Sequence, residues 1–202
     1  MLCIQAPLSS NLPRPYGAVP RRLRALRDRR PPRRRTVHRA VNIYIETSIP
    51  SFYYETRSDD RSQRIRDWTR RWWDTRRHVH ELVTSRAVFV ELARAAHPRQ
   101  EEKMALLRDL PRLPITPAVD ETAARYIERK VMPDEDLGDA YHFAAASHHR
   151  CDVLLTNNVA HLANPNKFEH IRQVNEELGL FVPALKTPHQ MIEEHTDGAS
   201  NN

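Results

Sequence analysis

The feature that most constrains this chain is an alternation of short apolar segments with helix-period segments, running from residue 42 to near the C-terminus. The strand-like segments are Asn42-Ile43-Tyr44-Ile45, "ELVTS", "LPIT", "CDVLLT" and "LFVPAL". Between them lie "DDRSQRIRDWTRRWWDTRRHVH", "RAVFVELARAA", "PRQEEKMALLRDL", "AVDETAARYIERKVM", "LGDAYHFAAASHH", "NKFEHIRQVNEELG" and "TPHQMIEEH", which read as helices. Strands that recur after intervening helices pair in parallel, and a parallel sheet must be covered on both faces. The expected fold is therefore α/β, with a mostly parallel central sheet between helical layers. In such sheets ligands bind at the carboxyl ends of the strands, so polar residues at strand ends become the candidates for function.

The 202-residue length suffices for one ordinary domain and some spare chain. Charge locates the spare part. Residues 1–40 hold 11 arginines against one acid, Asp28, a balance of +10, while residues 41–202 hold 21 Lys+Arg against 25 Asp+Glu, a balance of −4. The opening segment mixes arginine with proline, has little to bury and is expected to be disordered. It reads as a piece without a fold that lies upstream of a true start at Val41, as a nucleic-acid-binding arm, or as an Arg-rich, acid-poor transit peptide. The expected organisation is thus 1–40 extension, 41–196 domain and 197–202 disordered tail. Cys3 and Cys151 stand far apart and form no metal-ligand pair, which fits a cytoplasmic protein better than a disulfide scaffold. No apolar run approaches the roughly 20 residues that cross a bilayer, so no membrane association is expected.

Four polar positions stand out against the apolar pattern. Glu46 ends the first strand, immediately before Thr47-Ser48 and a proline. It either faces a cleft at the strand end or supplies negative charge to the N-terminus of the next helix. Glu91 falls on the edge of the apolar stripe through Val88, Leu92 and Ala95, where a carboxylate is either a surface acid or a partnered polar group. Asp136 and Asp139 are three apart and share a helical face with Ala140 and Phe143, although either could serve only the helix N-terminus. After the strand "CDVLLT" come Asn157, Asn158 and His161, with Thr156 at the strand end. Asparagines there are either turn formers or further site oxygens.

Taken in order, "YIETSIPSFYYE", "TS…E", "GDAYHFAAA" and "LLT.N..HLANPNKFEHI" resemble the PIN-domain nucleases, in particular the VapC-like branch of type II toxin ribonucleases. The resemblance spans about residues 42–193. It implies a three-layer α/β/α sandwich whose acids converge on Mg²⁺ or Mn²⁺ to cleave RNA. Glu46, Glu91 and Asp139 match the family's metal-holding acids, Asn158 stands where many relatives carry a fourth acid, and Asp136, Thr47, Ser48, Thr156 and His161 are secondary candidates. Hard divalent cations prefer oxygen ligands, which suits this residue set.

The resemblance further implies a homodimer and a protein antitoxin. On the helix around residues 60–77, Ile65, Trp68 and Trp72 are spaced for the buried face, so Trp73 is expected on a partner surface. A competing reading, motivated by the neutral Asn158, is a PIN-fold RNA-binding or regulatory module with a weakened site, or an antitoxin-bound module without turnover.

Overall fold

A computed structural model of the chain describes residues 40–94, 99–131, 137–158 and 165–200. The organisational expectation for residues 1–40 lies almost wholly outside them, as do the candidates Asp136 and His161. Five parallel strands form one sheet in the order β3-β2-β1-β4-β5, flanked by helices, as the alternation predicts. They are β1 (Asn42–Ile45), β2 (Glu81–Ser85), β3 (Arg112–Leu113), β4 (Val153–Leu155) and β5 (Ala184–Lys186). The helices are α1 (Ser48–Tyr53), α2 (Asp60–Arg76), α3 (Arg86–Arg94), α4 (Gln100–Leu106), α5 (Pro117–Glu128), α6 (Leu137–His148), α7 (Pro165–Glu177) and α8 (Pro188–Ser200). The last of these continues into the segment expected as a C-terminal tail.

The strand order fixes where a site can form. The chain steps outward from β1 to β2 and β3, then returns to the other side of β1 with β4 and β5. Connections on the two sides of the β1–β4 boundary therefore diverge, which opens a crevice at the carboxyl ends of these two strands. Ile43, Tyr44 and Ile45 are fully buried, as are Leu154 and Leu155 of the neighbouring strand, so the middle of the sheet is dry and its ends carry the polar groups.

Two strands are shorter than their apolar runs. The "LPIT" segment contributes only Leu113 to β3, and "LFVPAL" contributes only Ala184 and Leu185 to β5. Pro114 and Pro183 explain both, because a proline has no N–H for the ladder and confines the strand to one side of itself.

Helix α2 corrects another expectation. Trp73 is not on a partner surface: it is a core residue with 2 % exposure, edge-on to Tyr53 and Trp72 with ring centroids 6.3 Å apart in each pair. The buried face of α2 is Ser62, Thr69, Trp72 and Trp73. Ile65 and Trp68 are only partly covered, and the Trp68 ring packs 4.2 Å from His189 of α8. The expected stripe holds at Trp72 but misses Trp73 and Thr69, which is buried with its hydroxyl donating to the Ile65 carbonyl and accepting from Asn157.

Candidate functional site

At the crevice, the pleat of β1 sets the first arrangement. Side chains alternate along a strand, so Tyr44 and the next residue but one, Glu46, turn toward the same face, where α6 runs. Glu46 is 2 % exposed. Its Oε2 accepts the Ser48 backbone N–H at 2.8 Å, and its Oε1 accepts the Ser48 hydroxyl. The carboxylate thus tethers the start of α1 from within the fold. Burial pushes its carboxyl up to about 7, against the opposing pull of the His142 charge and the Ser48 hydrogen bonds.

Helix α6 supplies the second part. Asp139 and His142 are three residues apart, on one helical face. His142 is 1 % exposed and is bonded at both ring nitrogens. Its Nε2 lies 2.9 Å from Glu91 Oε2 and 3.2 Å from Thr47 Oγ1, and its Nδ1 lies 3.1 Å from the Tyr44 hydroxyl. The Tyr44 hydroxyl is in turn 2.6 Å from Ser85 Oγ, which accepts the Ala87 N–H at 3.2 Å. In the neutral tautomer that donates from Nε2, donation runs from Ser85 to Tyr44 to His142 and ends on the accepting Glu91 carboxylate. Burial works against protonation of His142, but the Glu91 hydrogen bond and the charges of Glu91, Glu46 and Asp139 outweigh it and raise its pKa. Glu91 is the carboxylate in contact with this imidazole, while Glu46 and Asp139 act on it through their charge. The residue sits inside the "GDAYHFAAA" motif, yet was not singled out from sequence. Its signal was available: a histidine three residues after an acid, on an otherwise small and apolar helix.

Glu91 differs from Glu46 in environment. Its side chain is 47 % exposed, and it accepts from Thr47 Oγ1 at 2.8 Å as well as from His142. Burial favours its neutral form, but these two hydrogen bonds and the His142 charge hold the carboxyl below the ordinary range. It is a partnered acid facing solvent on one side. Gly138 explains how α6 comes so near, because a Cβ at this position would lie 2.9 Å from Glu91 Oε2.

The loop after β4 closes the crevice. Thr156 Oγ1 accepts the Asn158 N–H at 2.8 Å, a local turn that aims Asn158 Nδ2 at Asp139 Oδ2, 2.9 Å away. Asn157 instead donates its N–H to Ser48 Oγ at 2.7 Å and its amide to Thr69 Oγ1 at 3.0 Å. The two asparagines thus hold the turn after β4 against α1, α2 and α6. Glu46, Thr47, Ser48, Glu91, Asp139, Thr156 and Asn158 are thus drawn together by β1, α1, α3, α6 and the β4 loop.

Among the described residues, no group of three His, Cys, Asp or Glu side chains stands close enough to close a metal site by itself. The donor chemistry nevertheless fits a hard cation that keeps much of its water, since Mg²⁺ is held through one or two carboxylates and needs no protein cage. Among the described residues, no helix is long and apolar enough to cross a membrane. Residues 43–166 match the family model described as PIN domain. Comparison with curated proteins finds no significant match.

Proposed function

The chain belongs to the PIN-domain family, whose members are typically metal-dependent nucleases, and from that premise we propose that it is a Mg²⁺- or Mn²⁺-dependent endoribonuclease. The observation that carries this reading is the pair of acids that line the cleft, Glu91 held by Thr47 and His142 and Asp139 held by Asn158, with the buried Glu46 tied to Ser48 at the neighbouring strand end. Those carboxylates would hold the cation, which when bound polarises a scissile phosphate and lowers the pKa of water. The chain's other groups set the carboxylates. Ser48 fixes Glu46, Thr47 and His142 fix Glu91, and Asn158 fixes Asp139. No serine or cysteine nucleophile is needed.

The finer assignment, the toxin of a type II toxin–antitoxin pair acting as a homodimer with a protein antitoxin, is supported by the order and spelling of the Glu46-Thr47-Ser48, Gly138-Asp139-Ala140 and Thr156-x-Asn158 motifs. A second reading, a catalytically weakened RNA-binding module, is favoured by one observation: Asn158 is neutral and spends its amide on Asp139. Incubation of the full chain with Mn²⁺ and a mixed pool of single-stranded RNA separates the two. The nuclease reading predicts cleavage that drops at least ~100-fold in Asp139→Asn, the scale of removing a group that organises transition-state charge. Equal cleavage by both proteins would remove the proposed site, and no cleavage by either would favour the binding module.

A further inference from the structure

One face of α3 continues the crevice beyond the acids. Residues 86, 90 and 94, and residues 87 and 91, recur every four positions, so Arg86, Val90 and Arg94 form a row beside Ala87 and Glu91. This row lines a cleft of about 930 Å³ that also contains Arg112, Tyr141, Asp139 and Asn158. The cleft is therefore mixed in charge, lined by three carboxylates, Glu91, Asp120 and Asp139, and three guanidiniums. Arg86, Arg94 and Arg112 have no ion-pair partner among the described residues, whereas Arg57, Arg99, Arg129 and Arg172 are each paired with a glutamate. Arg112 is held by stacking instead, its guanidinium carbon 4.0 Å from the centroid of the Phe89 ring, which leaves its N–H edge available for an anion. Tyr141 is half-buried at the same cleft.

We propose that this cleft is the binding subsite for the single-stranded RNA strand leading to the crevice, with Arg86, Arg94 and Arg112 contacting its phosphates and Tyr141 stacking one base. The proposal rests on the nuclease reading for the direction of the strand. An RNA fits this combination better than an acidic protein segment, because one polyanion must meet both guanidiniums and cation-seeking carboxylates. A regularly spaced phosphate backbone supplies ligands to both. Its bases supply a partner for an aromatic ring, the pairing used by non-specific single-strand binders.

The test is fluorescence anisotropy of a labelled 12-nucleotide single-stranded RNA with the full chain in chelator, repeated over a series of salt concentrations. Each phosphate contact on a single strand contributes about 0.7 to the slope of log K against log salt. Arg86→Gln, Arg94→Gln and Arg112→Gln are each expected to reduce the slope by about 0.7, while Arg71→Gln, on exposed α2 outside the cleft, leaves it unchanged. Tyr141→Ala is expected to weaken binding about 5- to 100-fold at unchanged slope, the range for loss of one base stack, and Tyr141→Phe keeps the ring and the affinity. Slopes equal in parent and all three arginine variants would overturn the proposal and leave the cleft to an occupant other than RNA. The Mn²⁺ cleavage assay fails or succeeds separately. Cleavage with unaltered slopes sinks only the subsite, and altered slopes without cleavage sink only the nuclease reading.

Discussion

A single buried carboxylate dominates the chemistry at the residue scale. The folded-state pKa of Glu46, pushed up to about 7 by burial, exceeds the unfolded value of about 4.3. The folded chain therefore holds this proton more tightly. The resulting stability is fully present below the unfolded pKa and is lost as pH rises through about 7. His142, also raised, acts in the same direction. Glu91, lowered, acts in the opposite sense, but only as pH falls through the acid range. Without divalent cations the melting temperature should thus fall between about pH 4.5 and about pH 7, with on the order of 3 kcal/mol at stake for Glu46. Differential scanning calorimetry of Glu46→Gln should show that fall largely abolished, since a glutamine can keep both Ser48 contacts. A parent profile that rises over this interval would be incompatible with a protonated buried Glu46. Gly138 allows a second prediction. An added Cβ meets only the end of the Glu91 side chain, which can swing toward solvent. Gly138→Ala should therefore melt within a few degrees of the parent, yet lose RNA cleavage by at least ~10-fold, because Glu91 leaves its Thr47 and His142 partners.

Among the elements, three helices end in the same way. After α5, Lys130 has φ 55°, with Lys130 N–H to Ile127 O at 2.8 Å and Val131 N–H to Tyr126 O at 2.9 Å. After α6, Arg150 has φ 53° with the equivalent bonds to Ser147 and Ala146, and after α7 Gly179 has φ 67° with bonds to Glu176 and Asn175. These are Schellman closures, in which the left-handed residue is usually glycine. Only one of the three uses glycine here. Lys130→Gly and Arg150→Gly should each relieve left-handed strain of about 1 kcal/mol, partly offset by the greater freedom of glycine in the unfolded chain. The expected net gain in thermal unfolding is at most about 2–4 °C each, and a clear loss for both would contradict the strain argument. Chain composition hid these stops, which is why "AVDETAARYIERKVM" read as helix through Met132 although α5 ends at Glu128. Strand identity was legible, because β-rich runs between helical periods have few other uses. Strand length was less so, because the prolines at 114 and 183 decide it.

The whole molecule shows why the acids were easier to read than their supports. Glu46, Asp139 and Asn158 violate local patterning at strand ends or on a packed helical face, and the 3-2-1-4-5 strand order brings such positions together. Tyr44, Ser85 and His142 do not announce themselves. Tyr44 passes as a β-forming core residue, and Ser85 as a strand terminus. Only the parallel pairing of β1 with β2, together with the packing of α6, makes them one hydrogen-bonded line. Trp73 failed for the complementary reason, since the inner face of α2 is organised around Thr69, whose burial depends on Asn157 more than eighty residues away. The central claim is that this fold gathers Glu46, Glu91 and Asp139 to take a divalent cation. Calorimetric titration of the full chain with Mn²⁺ near neutral pH tests it most directly. Saturable binding by the parent, weakened at least ~10-fold in both Glu46→Gln and Asp139→Asn, is the predicted result; isotherms that coincide for all three proteins would contradict it.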